Sequence, residues 1–156
     1  MEVLFMDDNS RAIESFETDV RSTFGDGVHI TAVSNLVDFD YEIYESGRNY
    51  DRFVLDLGLA KPNDFPDEVY EEWLKERGIS ETTFLSNVIS VPGWDYFECV
   101  MKKQESTKIR LNRVMLKTGY ADLLLKEKGE NCYLPACLLS KGDELYVEKL
   151  KAFFID

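Results

Sequence analysis

Cysteine is scarce in this chain, and the three present, Cys99, Cys132 and Cys137, form no CxxC pair and have no histidine nearby. That spacing argues against both a disulfide framework and a zinc site, and leaves free, buried thiols of a reducing compartment as the expectation. Basic residues are also few. Lys and Arg number 18 against 30 Asp and Glu, giving a formal net charge of -12, with no basic run anywhere. Such a surface repels nucleic acid and anionic membrane, so direct DNA binding is not expected. Long apolar runs are missing as well, so no membrane-inserted segment is expected. The first residues carry neither a basic stretch nor an apolar signal core, so no export signal is expected either. Together these absences point to a cytoplasmic protein. The single histidine, His29, falls within a strand-like run and reads as structural.

What is present fits one globular domain: 156 residues, 44% hydrophobic and 31% charged. Short apolar runs of the kind expected for strands buried on both faces recur along the chain. They are Met1–Met6, Val28–Val33, Asp51–Asp56, Ile109–Leu116 and Pro135–Ser140. Helical patterns lie between them. Asn9 or Ser10 can cap a helix carrying Ile13, Phe16, Val20 and Phe24 on one face, and Gly25-Asp26-Gly27 ends it. Leu36–Ser46 makes a second helix, stopped by Gly47. Pro92-Gly93 opens a third, with Trp94, Phe97, Val100 and Met101 inward; Ala121–Lys128 and Asp143–Phe154 supply the last two, the latter with Leu145, Leu150 and Phe154 inward. Tyr41, Tyr44, Tyr70, Trp73 and Trp94 sit on helical faces, where core packing is the default.

One stretch breaks the alternation. Lys61–Val91 holds seven acids, among them Asp64, with Asp67–Arg77 helical (Val69, Tyr70, Trp73 and Leu74 apolar, the acids a solvated face) and Thr83–Ile89 a further short element. With it set aside the order is βαβαβαβαβα. That pattern implies right-handed crossovers and a doubly wound α/β fold with a five-stranded parallel sheet, strand order 2-1-3-4-5 as in flavodoxin.

Ligands of such sheets bind outside the carboxyl ends of the strands. There this sequence places Asp7 and Asp8, Asp56, Thr118 and Lys141. Three carboxylates, a hydroxyl and an ammonium suit a divalent cation together with a phosphoryl group. A carboxylate can attack phosphorus to form an acyl phosphate, and phosphoryl transfer asks mainly for positioning and charge neutralisation. Mg²⁺ prefers oxygen ligands, and carboxylates this close repel one another without a cation. The bland alternative for Asp7-Asp8 is a strand-end turn with a helix cap.

The segments Val3-Leu4-Phe5-Met6-Asp7-Asp8-Asn9, Val54-Leu55-Asp56-Leu57-Gly58-Leu59, Val114-Met115-Leu116-Lys117-Thr118-Gly119-Tyr120-Ala121 and Leu138-Leu139-Ser140-Lys141 resemble the receiver domain of two-component response regulators. The resemblance implies that Asp56 is the phosphoacceptor for a phosphohistidine of a sensor histidine kinase or phosphotransfer protein. It implies that Asp7, Asp8, Asp56 and the backbone carbonyl of Gly58 hold Mg²⁺. It further implies that Thr118 hydrogen-bonds a phosphoryl oxygen and that Lys141 pairs with Asp56 or the phosphoryl group. Phosphorylation would then alter protein–protein contacts.

Three features depart from that family. Asp56 and Thr118 are 62 positions apart, roughly twice what one helix and its loops need, so residues 60–91 read as an insertion with helical character. It could cover the site or be a surface excursion. Leu138 stands where receivers carry an aromatic switch residue. Gly142 follows Lys141 where proline is common. No output domain is expected before the end at Asp156. Two competing readings remain: a docking module independent of phosphorylation, and an aspartate-nucleophile phosphatase. The latter usually has its nucleophile on the first strand with a second acid two residues on, a spacing that Asp7-Asp8-Asn9-Ser10 lacks.

Overall fold

The computed structural model describes residues 1–59, 62, 65–104 and 109–155. Ala60, Lys61 and Asp64 of the acidic stretch, and Asp156, lie outside the described residues. Five parallel strands form the main sheet: β1 (Glu2–Met6), β2 (His29–Val33), β3 (Arg52–Asp56), β6 (Val114–Thr118) and β7 (Cys137–Ser140). Their order is β2-β1-β3-β6-β7, the order expected for strands one to five. In register, Met6 lies beside Leu55, Asp56 beside Lys117, and Thr118 beside Ser140, so the strand ends come level.

Alternation along the buried strands divides the core in two. Val3, Phe5, Val54, Met115 and Leu139 face α1 (Ser10–Phe24) and α6 (Tyr146–Ile155), meeting Phe16, Val20, Leu150, Phe153 and Phe154. Leu4, Met6, Phe53, Leu55, Val114 and Leu116 face the other way. Their cluster takes in α2 (Leu36–Tyr44), α5 (Ala121–Lys128) and the helix that begins as α4 (Pro92–Tyr96) and continues as a π-helical turn over Phe97–Met101. Asn9 caps α1, its side chain accepting from the Arg11 N–H.

Between β3 and α4 the chain forms α3 (Asp67–Glu76) and a two-stranded antiparallel hairpin, β4 (Phe84–Leu85) with β5 (Ile89–Ser90). This segment is built into the core: Leu59, Ile79, Leu85 and Val91 belong to the second cluster. A buried polar link ties it to α2. Asp40, 1% exposed, accepts from Arg77 Nε and Nη2 at 3.0 and 2.7 Å, and from the Tyr96 hydroxyl at 2.7 Å. Trp73 stacks parallel to Tyr96, and Asp95 accepts the Thr83 N–H. The acids of α3 do form a solvated face.

Several expectations need correcting. Tyr41 and Val69 are exposed, because Asp40 and Tyr70 occupy the inward positions beside them. Leu145 is 57% exposed: α6 starts at Tyr146 rather than Asp143, and Asp143 turns the chain beforehand by accepting the Leu145 N–H. The fourth strand of the main sheet starts at Val114 rather than Ile109, since Leu111–Arg113 closes into a 3-10 turn. It runs through Thr118 instead of ending before it. The cysteines are free but only partly buried. Among the described residues no helix is long and apolar enough to cross a membrane.

Candidate functional site

Asp7 and Asp56 lie at the carboxyl ends of the neighbouring strands β1 and β3 and are both buried, while Asp8 is exposed. Each of the three can offer one carboxylate oxygen within 4.8 Å of the others. Lys141 Nζ stands 2.9 Å from Asp56 Oδ2 and 3.6 Å from Asp7 Oδ2. A backbone bond explains its placement: the Lys141 N–H donates to Thr118 O at 2.8 Å, fastening the exit of β7 to the end of β6. Gly142 follows at φ +98°. Proline, fixed near -65°, could not form this turn.

Thr118 is 1% exposed, and its Oγ1 accepts the Tyr120 N–H at 3.0 Å. That leaves the hydroxyl proton to donate elsewhere. Gly58 is exposed in the loop after β3, and its N–H bonds the Asp56 carboxylate. His29 opens β2 at the far end of the sheet, outside this group.

One member of the site escaped the sequence reading. Lys117 is 5% exposed, with its ammonium 3.6 Å from Asp7 Oδ2 and 5.0 Å from the centre of the Phe5 ring. The available signal was a lysine within a fully buried strand, on the same face as Met115. Such a charge needs a buried counter-ion, and the end of β1 supplies one.

The electrostatics follow from burial. Desolvation pushes the Asp56 carboxyl up from its usual range, and the charge of Asp7 adds to this; Lys141 and the Gly58 N–H pull it back in part. Burial lowers the Lys117 ammonium against the opposing pull of Asp7. For Lys141 burial also pulls downward, but bonding and attraction to Asp56 and Asp7 together outweigh it and raise its pKa. Asp7 Oδ1 accepts the Asn9 N–H, whereas Oδ2 is buried without a hydrogen bond. An orphaned carboxylate oxygen among three acids is the donor set an oxygen-preferring dication would complete. The residues fit Mg²⁺, although two ammoniums already soften the repulsion that the acids alone would suffer.

No protein-family model matches the chain, and no curated protein does. Solved structures do. A two-component response regulator from Cytophaga hutchinsonii superposes with a TM-score of 0.58 at 18% identity, covering 98% of this chain and 92% of that one. The receiver domain of a sensor histidine kinase from Pseudomonas aeruginosa PAO1, with a magnesium ion coordinated in its active site cleft, gives 0.53 at 16% identity, with 97% and 93% covered. The chain thus has the fold of response-regulator receiver domains.

Proposed function

We propose that this chain is a single receiver-type phosphoacceptor unit of two-component signalling in the cytoplasm, carrying an insertion at about residues 60–91. The observation that carries the reading is the pairing of buried Asp56 with Lys141 beside the orphaned oxygen of Asp7. Asp56 attacks the phosphorus of a phosphohistidine on a sensor kinase or phosphotransfer protein. The P–N bond breaks, the imidazole leaves with the electron pair, and an acyl phosphate forms on Asp56. Lys141 moves from the carboxylate to a phosphoryl oxygen, and Thr118 donates its proton to another. Asp7, Asp8, Asp56 and the Gly58 carbonyl would hold Mg²⁺. When bound, the ion supplies charge neutralisation for the transferring group. Phosphorylation then changes contacts with a downstream protein.

The test is intact mass after incubation with acetyl phosphate and Mg²⁺, with EDTA as the control. One hydroxylamine-labile phosphoryl adduct that requires metal is expected. Its absence, with Mg²⁺ binding also absent by titration, would overturn the acceptor reading. A docking module independent of phosphorylation is then the better reading. Leu138, half-buried on β7 where the usual aromatic switch would stand, favours it.

Lys117 should tune the metal site. A resident ammonium beside Asp7 competes with a dication, so Lys117→Met is expected to tighten Mg²⁺ binding about tenfold, the effect of one unit charge a few ångströms away in a screened site. Calorimetric Mg²⁺ titration measures this. Unchanged affinity would make Lys117 a spectator.

A further inference from the structure

The segment between β3 and α4 encloses a pocket of its own. It holds about 340 Å³ between α3, the hairpin and the start of α4. Leu59, Leu74, Ile79 and Pro92 give it apolar walls, while Tyr70, Thr82 and Ser90 add hydroxyls. A single charged residue completes the lining, Asp95.

Asp95 is 5% exposed, and among the described residues it differs from every other buried acid. Asp40 meets Arg77 at 2.7 Å, Asp56 meets Lys141 at 2.9 Å, and Asp7 has two ammoniums at 3.6 Å. Asp95 forms no such pair. It accepts only the Thr83 N–H, at 3.0 and 3.2 Å from its two oxygens. Lys128 attracts it from the neighbouring pocket without reaching it. Burial drives the Asp95 carboxyl upward, and Thr83 recovers part of that cost. A buried carboxylate with unused lone pairs and no counter-ion is completed by a cation.

The lining decides which cation. A dication needs several oxygen ligands, commonly from more than one carboxylate. This pocket offers one acid, and the only three-acid cluster close enough among the described residues is Asp7, Asp8 and Asp56. Aliphatic walls and the Tyr70 ring instead suit a hydrocarbon body, and an aromatic face favours a positive head. Burial and then the charge of Asp95 raise the Tyr70 hydroxyl, so phenol and carboxylate lie near each other. An ammonium has three donors to share between such groups, and the volume is at the small end of ligand sites. We infer that this pocket binds a small organic cation, an alkylammonium with an apolar or aromatic body. The pocket adjoins the loop after Asp56, since Leu59 lines it and Pro92 precedes Gly93, which bonds Leu57 O. Binding there does not depend on the acceptor chemistry.

The test is calorimetric titration of phenethylammonium, and of neutral phenethyl alcohol, into the full chain, followed by amide chemical shifts. Saturable one-to-one binding of the amine is expected, about tenfold tighter than the alcohol, as one charge-assisted bond provides. Shifts should fall at Ile79 and Ser90. In Asp95→Asn the amine should drop to the affinity of the alcohol, while the alcohol binds as before and so reports an intact pocket. Thr82 is exposed, so Thr82→Trp keeps the test valid should Asp95→Asn fold poorly; its ring should block both probes. No saturation at millimolar amine, equal affinity for the two probes, amine affinity unchanged in either variant, or shifts centred on Asn9 and Gly58 would each overturn the inference.

Discussion

Alanine at position 93 should cost this protein about 3 kcal/mol of folding stability, at the upper end of what overpacking a dense core does. A Cβ there would stand 2.2 Å from the carbonyl oxygen of Asp56 and 2.8 Å from the Cα of Leu57. Both are backbone atoms, and both are held. The Gly93 N–H donates to Leu57 O at 3.1 Å, while the Leu57 N–H donates to Lys117 O at 3.0 Å. The end of β3 is clamped between α4 and β6, so an added methyl group must push Asp56 itself. Ordinarily, replacing glycine by alanine within a helix is stabilising by up to roughly 1 kcal/mol, so the expected sign is reversed. Gly119→Ala provides the comparison, since nothing lies within 4 Å of a Cβ there; its effect should stay within about 0.5 kcal/mol. Urea unfolding of the two variants decides the matter, and equal midpoints would refute the close approach.

With Asp56→Asn, two quantities should change together. The phosphoryl adduct should vanish, because an amide is not a competent nucleophile, and the pH dependence of metal-free stability should flatten. Burial and the charge of Asp7 raise the carboxyl of Asp56 above its usual value. The folded state thus keeps this proton to a higher pH than the unfolded chain does. As pH rises from the unfolded pKa through the folded one, the native state loses stability relative to the unfolded state, and above that window the cost is fully present. Asparagine has no such cost. In EDTA the variant should therefore gain on the parent as pH rises from the ordinary carboxylate range through the raised value of Asp56, in roughly the manner of a single titrating group. Parallel stability profiles, or an adduct that persists in the variant, would locate the acceptor and the strained carboxylate elsewhere.

Much of this was legible in the sequence because strand ends are easy to read. Asp7, Asp56, Thr118 and Lys141 each close or follow an apolar run, and a parallel sheet brings such ends level. Partnerships that cross the fold were not legible. Nothing in the helical stretch Leu36–Ser46 marks Asp40 as buried, because its partners Arg77 and Tyr96 lie 37 and 56 positions away. Only their arrival makes burial of the carboxylate tolerable. Lys117 was hidden for the same reason. The small hairpin escaped because it turns through Ser86 and Asn87, at φ +50° and +58°, without the glycine that usually marks such a turn. Gly93 looked like the start of a helix, since nothing local records how near another strand will come.

The bond between Gly93 and Leu57 has a further consequence, entropic rather than steric. It brings together the two ends of the excursion that contains α3 and the hairpin, and closing a loop of that length costs roughly 3 kcal/mol of chain freedom. A solvated loop would return nothing against that cost. Here Ile79, Leu85 and Val91, each 5% exposed or less, contribute about 1.5–3 kcal/mol apiece on burial. The excursion thus helps hold its own ends together, and trimming it to the length of a simple crossover would remove those residues from the core beneath β3.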